Sequence, residues 1–148
     1  MEVNRILWPT DLKEEASKVL PVLSSQAANY GATVVVLHVM DEILKSDRLA
    51  KAMNHDEAER FRSMMRADAD ATLDKICSML GDSCPNYEKK VMEGDPAEEI
   101  LKAIDQENID LVILPTYAGD TKKVYTAANV AREVVSHSPV PVLAVPVK

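Results

Sequence analysis

Apolar positions recur along the chain with two periods, one suited to strands and one to helices, and the two alternate. Val3–Pro9 is short and rich in Val, Ile, Leu and Trp, and Pro9-Thr10-Asp11 closes it, so a strand and a turn are predicted. Ala16, Val19, Leu20, Leu23, Ala27 and Ala28 then recur at helical spacing, which predicts a helix from about Leu12 to Tyr30. Asp11, with Glu14 three residues on, has the form of an N-cap and its reciprocal partner. Pro21 lies inside this pattern and is expected to bend the helix; Gly31 supplies its stop. Thr33–Val39 is a continuous β-branched run, the mark of a strand covered on both faces. Asp41–Asn54 carries no clear period.

From His55 to Leu80 a long charged helix is predicted, with Phe61, Met64, Met65, Ala69, Leu73, Ile76 and Leu80 near one face and Gly81 at its end. Asn86–Met92 alternates imperfectly and is highly charged, which suits an edge strand. Gly94-Asp95-Pro96 opens a further helix running to about Asn108, with Asp95 as cap and Pro96 in the first turn. Asp110–Leu114 reads as a buried strand, and Pro115–Lys123 as a polar loop. A last helix starts at Val124 or Ala127 and ends at Ser136. Val140–Val145 is the final strand, and Pro141 places it at an edge or where a missing donor does no harm.

Strands and helices thus alternate β-α-β-α-β-α-β-α-β, which implies parallel strands joined by right-handed crossovers in an α/β fold. Residues 1–148 make a single domain, without linker, repeat or low-complexity segment. The composition, 47% hydrophobic and 28% charged, is that of a globular chain. A net charge of -7 repels a phosphate backbone, and one Phe and one Trp make a poor base-stacking platform, so no nucleic-acid partner is expected. The apolar runs are too short to span a bilayer, and the N-terminus has no signal-like apolar stretch, so no membrane partner and a cytoplasmic location are expected. Cys77 and Cys84 read as ordinary small side chains.

Ligands of open parallel sheets bind beyond the carboxyl ends of the strands, where strand order reverses. Here those ends are Pro9–Asp11, Val39–Asp41, Gly94–Asp95 and Pro115–Asn129. Elsewhere, Ser136-His137-Ser138 holds suggestive residue types, but neighbours in sequence at a helix end do not face one another. His137 suits a helix C-terminus, and His38 suits a strand-end histidine better than a ligand. His55 and Glu59 share a helix face without a second histidine, so no metal site is expected. Met53, Met64, Met65 and Met79 fit helix packing, with a Met-rich partner surface as the alternative. No catalytic residue is assigned.

Five segments, in order, resemble the universal stress protein family: Leu7-Trp8-Pro9-Thr10-Asp11, Val36-Leu37-His38-Val39, Glu93–Leu101, Asp110–Leu114 and Ser138–Val145. The resemblance covers essentially the whole chain. It implies a three-layer sandwich with a five-stranded parallel sheet, of the adenine-nucleotide alpha-hydrolase-like (Rossmann-like) kind, and a dimer that often forms through the last strand. The dimer residues would be Val140, Val142, Leu143 and Val145. Some family members bind ATP through a loop G-x-x-G, nine residues, G-[ST]; its glycines let backbone amides approach the phosphates. In that register this chain has Pro115, Ala118, Ala128 and Asn129, with Asp120 inside the loop and Gly119 one residue out of step.

Asp11 matches the acidic residue near adenosine, although it also serves as a helix cap. Val39 matches the strand end whose backbone touches adenine, although a valine there is equally a sheet residue, and Gly94 and Asp95 read as turn and cap, with a ligand role as the alternative. The candidate ligand set is therefore Pro9, Thr10, Asp11, Val39, Gly94, Pro115, Thr116, Ala118, Ala128 and Asn129. The leading expectation is a non-enzymatic, dimeric stress-response or regulatory protein, open to protein partners, with nucleotide binding weak or lost. The alternative is an ATP/AMP-binding switch in which Thr116, Thr121, Lys122, Lys123 and Asn129 replace backbone contacts. A nucleotide hydrolase lacks a visible base, nucleophile or metal set.

Overall fold

The computed structural model describes residues 1–12, 14–40, 51–81, 86–117 and 127–147. Strands are Arg5–Pro9 (β1), Thr33–Met40 (β2), Tyr87–Glu93 (β3), Leu111–Tyr117 (β4) and Val142–Val147 (β5). Helices are Leu20–Tyr30 (α1), His55–Ser78 (α2), Pro96–Gln106 (α3) and Ala127–His137 (α4), with a 3-10 helix at Glu14–Val19. The five strands form one sheet in the order β3-β2-β1-β4-β5, and every pairing is parallel.

Two cores flank the sheet. On one side Ile6, Trp8, Val34, Val36 and Ile113 pack against Val19, Leu23 and Ala27 of the first helical segment and Leu73 and Cys77 of α2. On the other, Leu7, Val35, Leu37, Val112 and Leu114 pack against Ile100, Ala103 and Ile104 of α3 and Ala131 and Val134 of α4. Thus successive residues of β1, β2 and β4 enter opposite cores, and each strand reads as a continuous apolar run because both of its faces are covered. Burial of whole Leu, Ile, Val and Trp side chains supplies the main driving force. Cys77 is buried in the first core. No helix of the described residues is long and apolar enough to cross a membrane.

Several boundaries differ from expectation for identifiable reasons. The first helix does not run from Leu12. Leu12 sits at φ 63, a left-handed conformation that breaks helical geometry. A 3-10 turn follows, and α1 begins at Leu20 with Val19 as an N-cap that makes no side-chain cap bond. Asp11 therefore does not cap α1, and Pro21 stands in its first turn, where a missing donor is harmless, and bends nothing. Met64 is 66% exposed on α2 and not part of the core. β4 continues through Pro115 and Thr116 to Tyr117, with Pro115 opposite Val145 of β5. β5 is displaced by two residues from the predicted Val140–Val145, because Val140 turns onto Ser138: its N–H donates to the Ser138 hydroxyl at 3.1 Å. Asp41–Ala50, Cys84 and Val124 lie outside the described residues.

Other expectations hold. Gly31, at φ 61, ends α1, and Ala32 N–H donates back to Ala27 C=O at 3.1 Å. The Asp95 carboxylate accepts from Glu98 N–H at 3.1 Å at the start of α3. β3 is an edge, as its charge pattern suggests.

At the amino end of the sheet a clamp ties distant segments together. Arg5 donates through Nε to Glu107 C=O at 2.6 Å and pairs with Glu88 at 2.9 Å and Glu107 at 3.3 Å. Lys90 also pairs with Glu107, and the Asp110 carboxylate accepts from Asn4 N–H and Arg5 N–H. The Arg5 guanidinium holds the Glu88 carboxyl below its ordinary value, chiefly through their hydrogen bond. A carboxyl that titrates lower when folded adds stability that is complete above its unfolded value and is lost as pH falls through the folded one. Glu88 is half-exposed, so screening keeps this small. Glu88→Gln should cost roughly 0.5 kcal/mol at neutral pH. Urea denaturation should show the difference from wild type vanish in acid and shrink in high salt.

Candidate functional site

Strand order reverses between β1 and β4: from β1 the chain builds toward β2 and β3, then crosses back to place β4 and β5 on the other side. This is the switch point at which open parallel sheets bind ligands. The carboxyl ends that meet there carry Pro9, Thr10, Asp11 and Leu12 from β1 and Pro115 and Thr116 from β4.

Alternate residues of a parallel strand bond to alternate neighbours. Thr33 N–H donates to Asn4 C=O and Thr10 N–H to Leu37 C=O, so the even residues of β1 face β2. Its odd residues face β4, consistent with Asp110 N–H donating to Arg5 C=O. Val112 N–H donates to Pro141 C=O of the segment leading into β5, so within β4, which starts after Asp110, the even residues face β5 and the odd ones face β1. Pro9 and Pro115 therefore face one another's strand, and neither has an N–H to give. The β1–β4 pairing accordingly stops at Leu7↔Val112, whereas β1–β2 continues to Pro9↔Leu37 and β4–β5 to Tyr117↔Val147.

The turn after β1 is fixed by protein groups alone. Thr10 is only 5% exposed. Its N–H donates to Leu37 C=O at 2.8 Å, and its hydroxyl accepts from Leu12 N–H at 3.2 Å. His38 Nδ1 lies 2.9 Å from Thr10 C=O; a carbonyl only accepts, so this nitrogen carries the proton. Leu12, in the left-handed region, directs its side chain to the first core. A non-glycine residue held at positive φ stores strain of about 1 kcal/mol or more, and such strain gathers at sites. His38 is thus a strand-end residue that sets the shape of this turn. Its role was hidden in the sequence because Thr10 lies 28 residues away.

Val39 lies in β2 with its side chain against the second core, and β2 continues to Met40. Gly94 N–H donates to Met40 C=O at 2.9 Å, which seats the start of α3 at the end of β2. Ala128 and Asn129 fall in the first turn of α4. Ala118, Gly119, Asp120, Thr121, Lys122 and Lys123 lie outside the described residues. Among the described residues no group of three His, Cys, Asp or Glu side chains could hold a metal ion. The Trp8 indole N–H, wholly buried, has no acceptor among the described residues. Of the four candidate dimer residues, Leu143 is 37% exposed, Val145 belongs to the first core, and Val140 and Val142 lie partly buried on the second.

A family model for universal stress proteins matches residues 2–146. The chain belongs to the universal stress protein family. The universal stress protein MJ0577 of Methanocaldococcus jannaschii is 28% identical, with 96% of this chain and 94% of that one aligned. A solved structure of MJ0577 superposes with a TM-score of 0.80 at 27% identity, covering 100% of this chain and 99% of that one. A universal stress protein from Archaeoglobus fulgidus, solved in complex with dAMP, shares the fold at 19% identity and a TM-score of 0.64, over the whole of both chains. Another, solved in complex with cAMP, does so at 14% identity and 0.69, covering 99% of this chain and 98% of that one. The adenine-nucleotide alpha-hydrolase-like sandwich expected from the family motifs is therefore the fold of this universal stress protein.

One glycine of the frame is required by both conformation and space. Gly94 has φ 151, and a Cβ there would meet Glu99 Oε1 at 2.8 Å and Cγ at 2.9 Å. Gly94→Ala should destabilise by roughly 1–3 kcal/mol. Adding Glu99→Ala should recover only the steric part, and thermal denaturation of the single and double variants separates it from the backbone part.

Proposed function

We propose that this universal stress protein is a non-enzymatic regulatory module that acts as a homodimer and binds nucleoside triphosphates weakly or not at all. One observation carries the nucleotide part of this reading. The position where a phosphate-binding relative would place its first glycine is Pro115, a buried residue inside β4 opposite Val145. A phosphate cradle needs backbone N–H groups and close approach; Pro115 offers neither. The relatives in complex with cAMP and dAMP support a retained base-binding frame in the family. Calorimetric titration of the purified protein with ATP and Mg²⁺ should show no micromolar binding, and no sustained phosphate release should accompany it. Micromolar binding of ATP would sink this part of the proposal.

The dimer part is supported by the outer edge of β5, which no strand among the described residues pairs. Because Val112 N–H donates to Pro141 C=O, the odd residues of β5 bond inward, and Val142, Ala144 and Pro146 turn their backbone groups outward. Pro146 has no N–H, so the edge offers donors only at Val142 and Ala144 and acceptors at all three. A second copy running antiparallel satisfies both donors with carbonyls of the same strand, giving a two-fold interface. An unpaired edge of this kind is otherwise a liability. Leu143, Ala144 and Pro146 are exposed along it. Ala144→Pro removes the central donor, and analytical ultracentrifugation should show wild type as a dimer and the variant as a monomer. A wild-type monomer at tens of micromolar would rule the interface out.

A further inference from the structure

We propose that α2 carries a self-recognition face, through which two copies of this chain pair their α2 helices antiparallel about a two-fold axis at Ala67. This contact is separate from the β5 edge and does not depend on it.

Ala69, Leu73 and Cys77 are buried and fix the core side of this 24-residue helix. On the side away from them lie Arg60, Met64, Ala67, Ala71, Asp74 and Ser78, which follow at intervals of four and three residues. That spacing lines side chains along one helix face and is the spacing by which helices pair. All six are exposed. Met64, 66% exposed, is a large apolar side chain left in water on a helix that is otherwise strongly charged. Ala67 and Ala71, on the next two turns, are short enough to let a second helix approach.

Charge decides the occupant. Arg60 stands seven residues before Ala67 and Asp74 seven after it. An antiparallel two-fold at Ala67 therefore sets Arg60 of each copy opposite Asp74 of the other, and each Met64 over Ala71 of the other. A parallel pairing would set like charge against like. Arg60 makes no ion pair or hydrogen bond among the described residues. Asp74 shares Lys89 with Asp70, so it can serve Arg60 while Asp70 keeps Lys89. The chain carries a net charge of -7, which makes most approaches of two copies repulsive. A face that carries both signs in inverted order is complementary to itself, as an isologous contact requires.

α2 lies along β3, where Arg66 donates to Val91 C=O, and β5 is the opposite edge of the sheet. The two contacts thus do not compete, and together they join dimers into larger assemblies. A single helix pair buries less than the roughly 1,200 Å² of stable complexes. The contact is accordingly weak, with a Kd of roughly several hundred micromolar, and silent at the tens of micromolar where β5 pairing is read.

The test is sedimentation equilibrium of the full chain up to about 1 mM, in about 0.15 M salt, where long-range repulsion is screened. Ala144→Pro, run beside wild type, should keep the weak association step, which separates it from β5 pairing. Arg60→Asp and Asp74→Arg should each weaken the step by about tenfold. Mixed in equal amounts, the two variants should associate like wild type, because each then meets opposite charge at both positions. The double variant should do the same alone. Ala67→Glu sets two carboxylates at the axis and should abolish the step; its side chain is exposed, so it decides the matter if Asp74→Arg disturbs the fold. The absence of any weak step in wild type overturns the inference. So does Ala67→Glu that associates like wild type, a step lost in Ala144→Pro, or a mixture of folded variants that associates no better than its parts.

Discussion

At β1, the central strand, every backbone polar group must be satisfied by a neighbouring strand, because Ile6, Leu7 and Trp8 are wholly buried and water is excluded. A parallel strand divides that duty strictly by parity: even residues to β2, odd residues to β4. The rest of the architecture follows from how far each side can be kept. Toward β2 the duty is met to the end, and Thr10 still donates to Leu37. Toward β4 it fails at Pro9 and Pro115. The end of the ladder at the reversal of strand order is thus a consequence of covalent chemistry as well as topology.

The two outer edges of the sheet meet the same constraint in different ways. On β3 the outward groups belong to the odd residues, since Val34 N–H donates to Asn86 C=O and Gly94 N–H to Met40 C=O on the inner side. That edge is guarded by α2. Arg66 donates to Val91 C=O at 3.0 Å, Lys89 pairs with Asp70 at 3.2 Å and with Asp74, and Arg62 Nε lies 3.2 Å from Glu93 as an ion pair without hydrogen-bond alignment. A carbonyl occupied by a guanidinium cannot receive another strand, and charge along an edge discourages pairing. Among the described residues β5 has no such guard, only Pro146. The contrast supports placing the proposed dimer interface on β5 and not on β3.

Much of the frame was legible in the sequence because it rests on local signals. Continuous β-branched runs predicted β2 and β4, Asp95-Pro96 predicted the start of α3, and Gly31 predicted the end of α1. Two of the misplaced boundaries share one cause: the deciding contact is distant in sequence. Asp11 and Glu14 made a sound local cap, but the chain is committed to a left-handed turn at Leu12 by Thr10, which answers to Leu37 and His38. Pro115 looked like a loop residue because proline usually ends a strand; pairing with β5 on its other side carries the strand onward. The place of the site followed from the alternation of elements. That Pro9 and Pro115 turn toward one another's strand did not, because it depends on which side of β1 and of β4 each proline faces. That is a matter of register, and register is fixed only when the strands meet.

The family fold and the chemistry of its site are separable here, and the turn after β1 shows why. Its shape is set by the Leu37 carbonyl, the His38 ring, the Thr10 hydroxyl and the packing of Leu12, none of which needs a ligand to hold it. The far wall is set by β4 against β5, which pairs to Tyr117↔Val147 with Pro115 in the middle of it. Neither wall relies on a phosphate-binding glycine, so replacing glycine by proline at 115 removes a backbone donor without removing a contact from either core. A core substitution in the same strands would be felt through packing at once. The family frame can therefore persist while the backbone donors at the end of β4 change.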